Sequence, residues 1–336
     1  MRKSSPRREL CDIAVLVDEE VGARNSTGRF VVDAKSMEAN VLFVLKQQHR
    51  NVRVVPFHPG ITPTIEELRE LKPRLVFNLT EWVGGNRRLD AAIAGVLEMM
   101  NLRYTGAGPE GMQLARDKAL AASIVADLGI DVPANAVVNG RRDFALELDF
   151  PLIVKPQFGD GSDGLGREAL VRSQAELRRR IAAIRRRSKE PLLCEEFVPG
   201  QDIYVALLGN EPKVMPPIEL VIGRRGAGAP RFATYKVKND DPYRARWRIH
   251  YRRARLNPEV LATIADWSPR IFHALKLRDY ARIDYRLTPD NRLVFLEVNA
   301  NPDLARESFN SHGCFAGMPY PKLISGIVAA ALARPR

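Results

Sequence analysis

One stretch near the C-terminal end dictates its own conformation. Residues 281–287 (Ala-Arg-Ile-Asp-Tyr-Arg-Leu) and 293–299 (Leu-Val-Phe-Leu-Glu-Val-Asn) alternate polar and apolar side chains with period 2, and Thr288-Pro289-Asp290-Asn291 between them is turn chemistry. The pattern predicts two antiparallel strands with Arg282, Asp284, Glu297 and Asn299 on one face. A turn formed by Pro289 and Asp290 sets Arg282 opposite Glu297 and Asp284 opposite Phe295. Asp284 and Glu297 are then diagonal neighbours roughly 7 to 8 Å apart, a span that two carboxylate arms close around one or two small cations. The bland alternative is a solvated sheet face carrying an ion pair, because structural ion-pair networks imitate sites.

The rest of the chain has room for more than one core. At 336 residues it exceeds the size at which a single core stops growing, so two or three domains are expected. In the first third, strand signals at 12–17, 51–55 and 74–77 alternate with helical signals at 37–48, 65–71 and 91–100. Thr64 with Glu67 reads as a capping box for the second helix. Such a βαβα order predicts a parallel sheet covered by helices on both faces. After Gly111 the pattern changes: one helix over 113–128, strands at 152–155 and 192–196, and between them a helix opened by Ser173 and Glu176. From Asp202 the signals are mainly antiparallel strands, then a helix over 261–275, the hairpin, and an amphipathic helix from Pro321.

Composition narrows the function classes. No apolar run approaches the roughly 18 residues needed to cross a bilayer, and the basic segment at residues 1–8 lacks a cleavage pattern, so a cytoplasmic protein is expected. Three widely spaced cysteines, Cys11, Cys194 and Cys314, suit a reducing compartment, and five scattered histidines predict no zinc site. The net charge of +12 has two visible sources. Arginines at 178–180 and 185–187 flank a stripe of Leu177, Ile181 and Ile184 and read as a solvated helix face. Arginines between Arg244 and Arg255 surround Trp247 and Tyr251, an interleaving that nucleic-acid binders use. Anionic phosphates or carboxylates account for positive charge equally well, so nucleic acid is not the expected partner.

Several residues invite phosphate. Glycines and small residues between Lys155 and Gly166 let backbone amides approach an anion, although the loop lacks the Gly-Lys-Ser/Thr ending of a Walker loop, and a plain surface turn is the alternative. Lys118, Lys155 and Lys238 lie at a helix start, at a strand end and beside the hairpin, where an ammonium can follow a moving phosphate. Glu195 and Glu196, ahead of Phe197-Val198, are positioned to offer a carboxylate and backbone amides to a purine, and Asp202 to accept from ribose hydroxyls.

In this order and spacing the residues resemble the ATP-grasp superfamily, in its D-alanine–D-alanine ligase branch. The likeness runs from about Phe77 to Phe309 and rests on residues 95–98 with 104–106, Asp117-Lys118, Val154-Lys155-Pro156 with residues 161–164, Glu195-Glu196-Phe197-Val198, Arg282-Ile283-Asp284 and Glu297-Val298-Asn299. It implies an ATP-grasp architecture, α/β and α+β: an N-terminal parallel-sheet, Rossmann-like domain (1–112), a central subdomain with the glycine-rich lid loop (113–196) and a C-terminal domain with the magnesium hairpin (197–336), the last two enclosing the nucleotide. It implies that Lys118, Lys155 and Lys238 grip the phosphates of ATP under a loop containing Ser162. Glu195, Glu196 and Val198 would read adenine and Asp202 the ribose. Asp284, Glu297 and Asn299 would hold Mg2+, Arg282 would stabilise developing negative charge, and Ser308 and Asp303 would meet the second substrate.

The implied activity is an ADP-forming carboxylate–amine ligase working through an acyl phosphate on small carboxylate and amine substrates, and the resemblance is compatible with a homodimer. A ligase adding an amino acid to a larger acceptor, and an ATP-binding module without chemistry, are the alternatives. The chain departs from the family pattern at Glu81-Trp82-Val83-Gly84-Gly85, at Asn239 in place of a tyrosine, at Asp303 in place of a glycine and at Glu196 in place of a lysine. Nucleotide and metal residues persist while amino-acid residues drift.

Overall fold

The computed structural model describes residues 11–139, 147–159, 165–224, 226, 228–305 and 309–335. Strand β1 (Ile13–Asp18) is buried along its whole length, as an apolar run must be when both faces of a parallel strand are covered. After a small hairpin, β2 (Gly22–Arg24) and β3 (Phe30–Val32), helix α1 (Met37–Gln48) leads to β4 (Val52–Phe57), and α2 (Thr62–Leu71) to β5 (Leu75–Asn78). The order is β4-β1-β5, all parallel. Period 2 divides β1 between two cores: Ile13, Val15 and Val17 pack with Val41 and Leu45 of α1, Ala14 and Leu16 with Ile93 and Leu97 further along the chain.

Two local expectations fail here for identifiable reasons. Thr64 does not cap α2; its hydroxyl accepts from the His58 amide (2.9 Å) and donates to the Pro56 carbonyl (3.1 Å). The helix begins at Thr62 instead, with Pro63 in the first turn, where its missing N–H costs nothing. Beyond α3 (Asp90–Met99), the single helix expected over 113–128 is two, α4 (Pro109–Arg116) and α5 (Lys118–Asp127). Asp117 breaks it: its backbone is extended (φ −80°, ψ 91°) and its carboxylate caps the Leu120 amide at 3.1 Å. The break makes Lys118 the first residue of α5.

The second sheet is antiparallel, β6 (Asn135–Val138), β7 (Leu152–Pro156), β8 (Leu170–Val171) and β9 (Leu192–Glu196) in the order β6-β9-β7-β8. Helix α6 (Gln174–Arg185) covers it with Leu177 and Ile181. Ser173 caps α6 through the Glu176 amide (3.3 Å) as expected, while the Glu176 carboxylate accepts from the Arg172 amide (2.7 Å), one residue ahead of the cap.

The third sheet contains β10 (Gln201–Leu208), β11 (Lys213–Val214), β12 (Ile218–Ile222), β13 (Ile249–Arg253), β14 (Tyr280–Leu287) and β15 (Leu293–Asn299). Its order is β13-β12-β10-β14-β15, with β11 on β10, all antiparallel. Helices α7 (Tyr235–Asn239), α8 (Asp241–Trp247), α9 (Pro258–Ala274), α10 (Phe309–Phe315) and α11 (Tyr320–Ala333) complete the chain. Leu323, Ile324 and Ile327 of α11 pack into the same core as α1. No single helix among the described residues is long and apolar enough to cross a membrane.

Candidate active site

The hairpin β14–β15 brings its polar residues closer together than the sequence predicts. Its loop is one residue longer than a two-residue turn: the Thr288 amide donates to the Arg292 carbonyl (3.0 Å), and Asn291 adopts a left-handed φ of 65°, which asparagine tolerates. That extra residue alone would set Leu296 opposite Asp284 and turn Glu297 to the other face. A β-bulge corrects it: Tyr285 pairs with Phe295 but Asp284 pairs with Glu297, and Arg282 with Asn299. Asp284 and Glu297 are therefore directly opposite, not diagonal as expected. The bulge re-aims a carboxylate, a common use of bulges beside functional sites.

Charge is concentrated around that pair. Arg282 donates from Nε to Asp284 Oδ1 (2.7 Å) and from Nη2 to Oδ2 (2.9 Å), a two-point contact, and its guanidinium lies 5.2 Å from the Tyr204 ring centroid. Burial works against the Arg282 charge, but the Asp284 carboxylate more than offsets it and raises the pKa. Burial would also raise Glu297; the ammonium of Lys118, then Lys238, Lys155 and Arg282, instead bring it down to about 2. Lys118 Nζ is 4.0 Å from Glu297 Oε2 and donates to the Gly159 carbonyl. Lys155 Nζ sits 2.6 Å from Glu195 Oε2. Burial alone would lower the Lys155 pKa, yet Glu195 and then Glu297 carry it above its ordinary value.

Two adjoining cavities open on these groups, one of about 490 Å³ and one of about 100 Å³. Lys118, Gly159, Tyr204, Lys238 and Glu297 line both. The smaller is walled by Lys155, Glu195, Glu196, Val198, Asp202 and Asp284, the larger by Arg282, Asn299 and Asp303. Every residue singled out from the sequence thus borders the cleft except Ser162 and Ser308, which lie outside the described residues together with the loop at 160–164.

Other residues of the cleft escaped the sequence reading. Arg286, on the same face of β14 as Asp284, meets Asp202 at 3.0 Å. Tyr204 of β10 stands across from Asp284 and touches both cavities. Both belong to strands that also look like core, so alternation alone could not single them out. In the larger cavity Arg116 pairs with Asp90, both nearly buried, and Arg87 with Glu81 (3.0 Å). Glu81 is itself placed by Asp18, whose carboxylate accepts the Glu81 and Trp82 amides at 2.9 and 3.2 Å.

The basic segment from Arg244 resolves into the end of α8 and strand β13. Trp247 is a core residue, 7% exposed, and Tyr251 packs edge-on to Tyr204 (centroids 5.8 Å) while lining the larger cavity. Trp247 is thus committed to the core and Tyr251 to the wall of the cavity, so the two rings do not form one stacking platform.

The hairpin also fits a hard divalent cation. Asp284, Glu297 and Asn299 offer oxygen donors of the kind magnesium takes. The amide nitrogen of Asn299 is buried and has no partner among the described residues. No group of three or more His, Cys, Asp or Glu side chains gathers around a possible metal position among the described residues, so the cation reading rests on two carboxylates and an amide.

Comparison with known proteins agrees with this geometry. Residues 133–329 match the family model described as D-ala D-ala ligase C-terminus. An uncharacterized protein of Sinorhizobium fredii, y4sG, is 32% identical over 280 residues, 81% of this chain and 80% of that protein. The D-alanine–D-alanine ligase of Desulforudis audaxviator is 31% identical over 252 residues, 73% of this chain and 78% of the relative. In fold, the chain is similar to the Bacillus anthracis D-alanine–D-alanine ligase complexed with ATP, with a TM-score of 0.73, 18% identity, and coverage of 96% of this chain and 97% of that one.

Proposed function

The chain belongs to the D-alanine–D-alanine ligase family and is an ATP-dependent ligase of the ATP-grasp type; on that premise we propose that it joins a small carboxylate to a small amine through an acyl phosphate, with ADP as product. The convergence of Lys118, Lys155, Lys238 and Arg282 on one ionised carboxylate, Glu297, carries this reading. Such a cluster suits a group that must meet polyphosphate and a cation together. The division into 1–112, 113–196 and 197–336 accords with it, since each interval contains one of the three main sheets.

In this reading ATP occupies the smaller cavity, with adenine against Glu195 and the backbone of Glu196 and Val198, ribose at Asp202, and phosphates leading toward Lys118, Lys155 and Lys238. Asp284, Glu297 and Asn299 would hold magnesium, which when bound neutralises phosphate charge. A substrate carboxylate oxygen attacks the γ-phosphorus and the bond to the bridging oxygen of ADP breaks. The amine of the second substrate then attacks the acyl carbon, the C–O bond to phosphate breaks, and the amine gives up a proton. Arg282, held at two points by Asp284, has its remaining N–H groups and its charge beside the tetrahedral oxyanion of that step. Lys238 and Lys118, bordering both cavities, stay with the phosphoryl group as it crosses.

The carboxylate and amine belong in the larger cavity, where the departures from the family pattern lie. Asn239, Arg244 and Asp303 line it, and a pocket with these groups need not select D-alanine. The test is to incubate the protein with ATP, magnesium and a panel of D- and L-amino acids, singly and in pairs, and to measure ADP and phosphate. Amino-acid-dependent ADP release with a new amide product is expected. ATP consumption that ignores the amino acid, or none with any pair, rejects the reading.

A further inference from the structure

Asp202 and Arg286 face each other across β10 and β14, two pairs along the sheet from Tyr204 and Asp284 and on the same face. Arg286 Nη1 is 3.0 Å from Asp202 Oδ1, and the two side chains are only 7% and 11% exposed. The same Nη1 reaches the Gly200 carbonyl at 3.3 Å, while Arg286 Nε is buried with no partner among the described residues. Asp202 and Arg286 both border the smaller cavity. One carboxylate oxygen of Asp202 is pinned to the neighbouring strand, at the wall of the cleft.

We propose that Arg286 is a positioning residue that fixes Asp202 so that Oδ2 accepts the vicinal hydroxyls of the nucleotide ribose, making the site selective for ribonucleotides. This inference rests on the assignment of the smaller cavity to ATP. The physical reason lies in the short arm of aspartate. Without Arg286 the carboxylate would turn toward any other donor, and its alignment with two adjacent hydroxyls would be lost. A guanidinium anchored on a strand holds that alignment before the nucleotide arrives, which spares the ordering cost on binding. A carboxylate held at the cavity wall discriminates between nucleotides, because one lacking the hydroxyls offers it no donors.

The test compares ATP with 2′,3′-dideoxyATP, each with magnesium, by calorimetric titration of the whole chain, so that no amino-acid substrate is needed. Wild type is expected to bind ATP about tenfold more tightly than the dideoxy nucleotide. In Arg286→Met the ATP affinity should fall to the dideoxy level while the dideoxy affinity stays within about twofold. Asp202→Asn should erase the ratio in the same way. Arg286→Lys keeps the charge without the planar fork, so it should retain a partial ratio of about threefold, and it replaces the methionine variant should that one fail to fold. Equal affinities in wild type overturn the proposal, as does an Arg286 variant that keeps the full ratio or weakens both nucleotides by the same factor. Should Asp202→Asn erase the ratio while Arg286→Met keeps it, the ribose assignment stands and the Arg286 role falls. Failure of the ligase reading would show in the amino-acid panel and leave this comparison intact.

Discussion

Two buried carboxylates, Glu297 at the hairpin and Asp18 behind the larger cavity, are shifted in opposite directions, while Asp284, paired across the strands with Glu297, is itself pushed up by burial. At the hairpin, Glu297 is buried among three lysines and Arg282, and its pKa falls to about 2. Behind the larger cavity, Asp18 is more thoroughly buried, burial dominates, two backbone amides are its main compensation, and its pKa climbs to about 6. Beside it, Arg116 and Arg87 are matched with Asp90 and Glu81. One end crowds several cations and carboxylates together, Arg282 with Asp284, Lys155 with Glu195 and Lys118 with Glu297, around two open cavities, a setting that suits a polyanionic ligand and its cation. The other neutralises itself and keeps its shape without one.

The largest expected effect lies at the hairpin. Glu297→Gln should lower turnover by about 10³-fold or more, since phosphoryl transfer depends on charge placement, while circular dichroism remains that of the wild type. Full activity in this variant would contradict the metal assignment. At the other end the expected loss is of stability. Arg116→Met leaves Asp90 buried without its partner, and a destabilisation of about 3–5 kcal/mol in urea unfolding is expected. A variant that unfolds like wild type but loses ATP turnover would move Arg116 to the phosphate side of the comparison.

The sequence disclosed the two ends unequally. Arg282, Asp284, Glu297 and Asn299 were legible because alternation keeps residues two apart on one face whatever the register. The register itself was hidden, because it depends on Asn291 in a left-handed turn and on the bulge at Leu296, and neither leaves a mark in the hydrophobic pattern. The break at Asp117 was hidden in the same way: the aspartate is an ordinary helix-surface residue until its backbone extends and its carboxylate caps the next helix. At the substrate end Glu81, Asn239, Arg244 and Asp303 stood out singly, but the pairings did not, since Arg116 with Asp90, 26 residues apart, and Asp18 with Glu81, 63 apart, meet only through tertiary packing. Long-range pairs of common residues carry no local signal.

A smaller effect, of opposite sign at the two ends, is expected in the pH dependence of stability. Glu297 has a folded pKa below its ordinary 4.5, so the stability it contributes is complete above that value and is lost as pH falls toward about 2. Asp18 has a folded pKa above its ordinary 3.8, so its contribution is present below that value and is lost as pH rises through about 6. Asp18→Asn keeps an acceptor for one of the two amides and removes the titration. Unfolding free energy measured from pH 3.5 to 6.5 should decline with rising pH less steeply in this variant than in wild type, by up to about 3 kcal/mol over the interval. Identical slopes would mean that Asp18 is solvated and that the contrast with Glu297 is one of partners alone.

The smallest effect on stability is expected at Arg87, and it separates selectivity from scaffold. Its ion pair with Glu81 is partly exposed (24% and 45%), and its guanidinium lies 4.0 Å from the Trp82 ring centroid. An exposed pair contributes about 0.2–1 kcal/mol and a stacked cation about as much, so Arg87→Met should cost about 1 kcal/mol, with a smaller penalty at high salt. Arg87 nonetheless borders the larger cavity and not the smaller one. The KM for the amino-acid substrate should therefore change while the KM for ATP holds. If the KM for ATP rises by the same factor, the two cavities are energetically one, and the division between a phosphate end and a substrate end must be abandoned. If neither moves, Arg87 serves the walls alone, and the residues that choose the substrate are those nearer the hairpin, Asn239, Arg244 and Asp303.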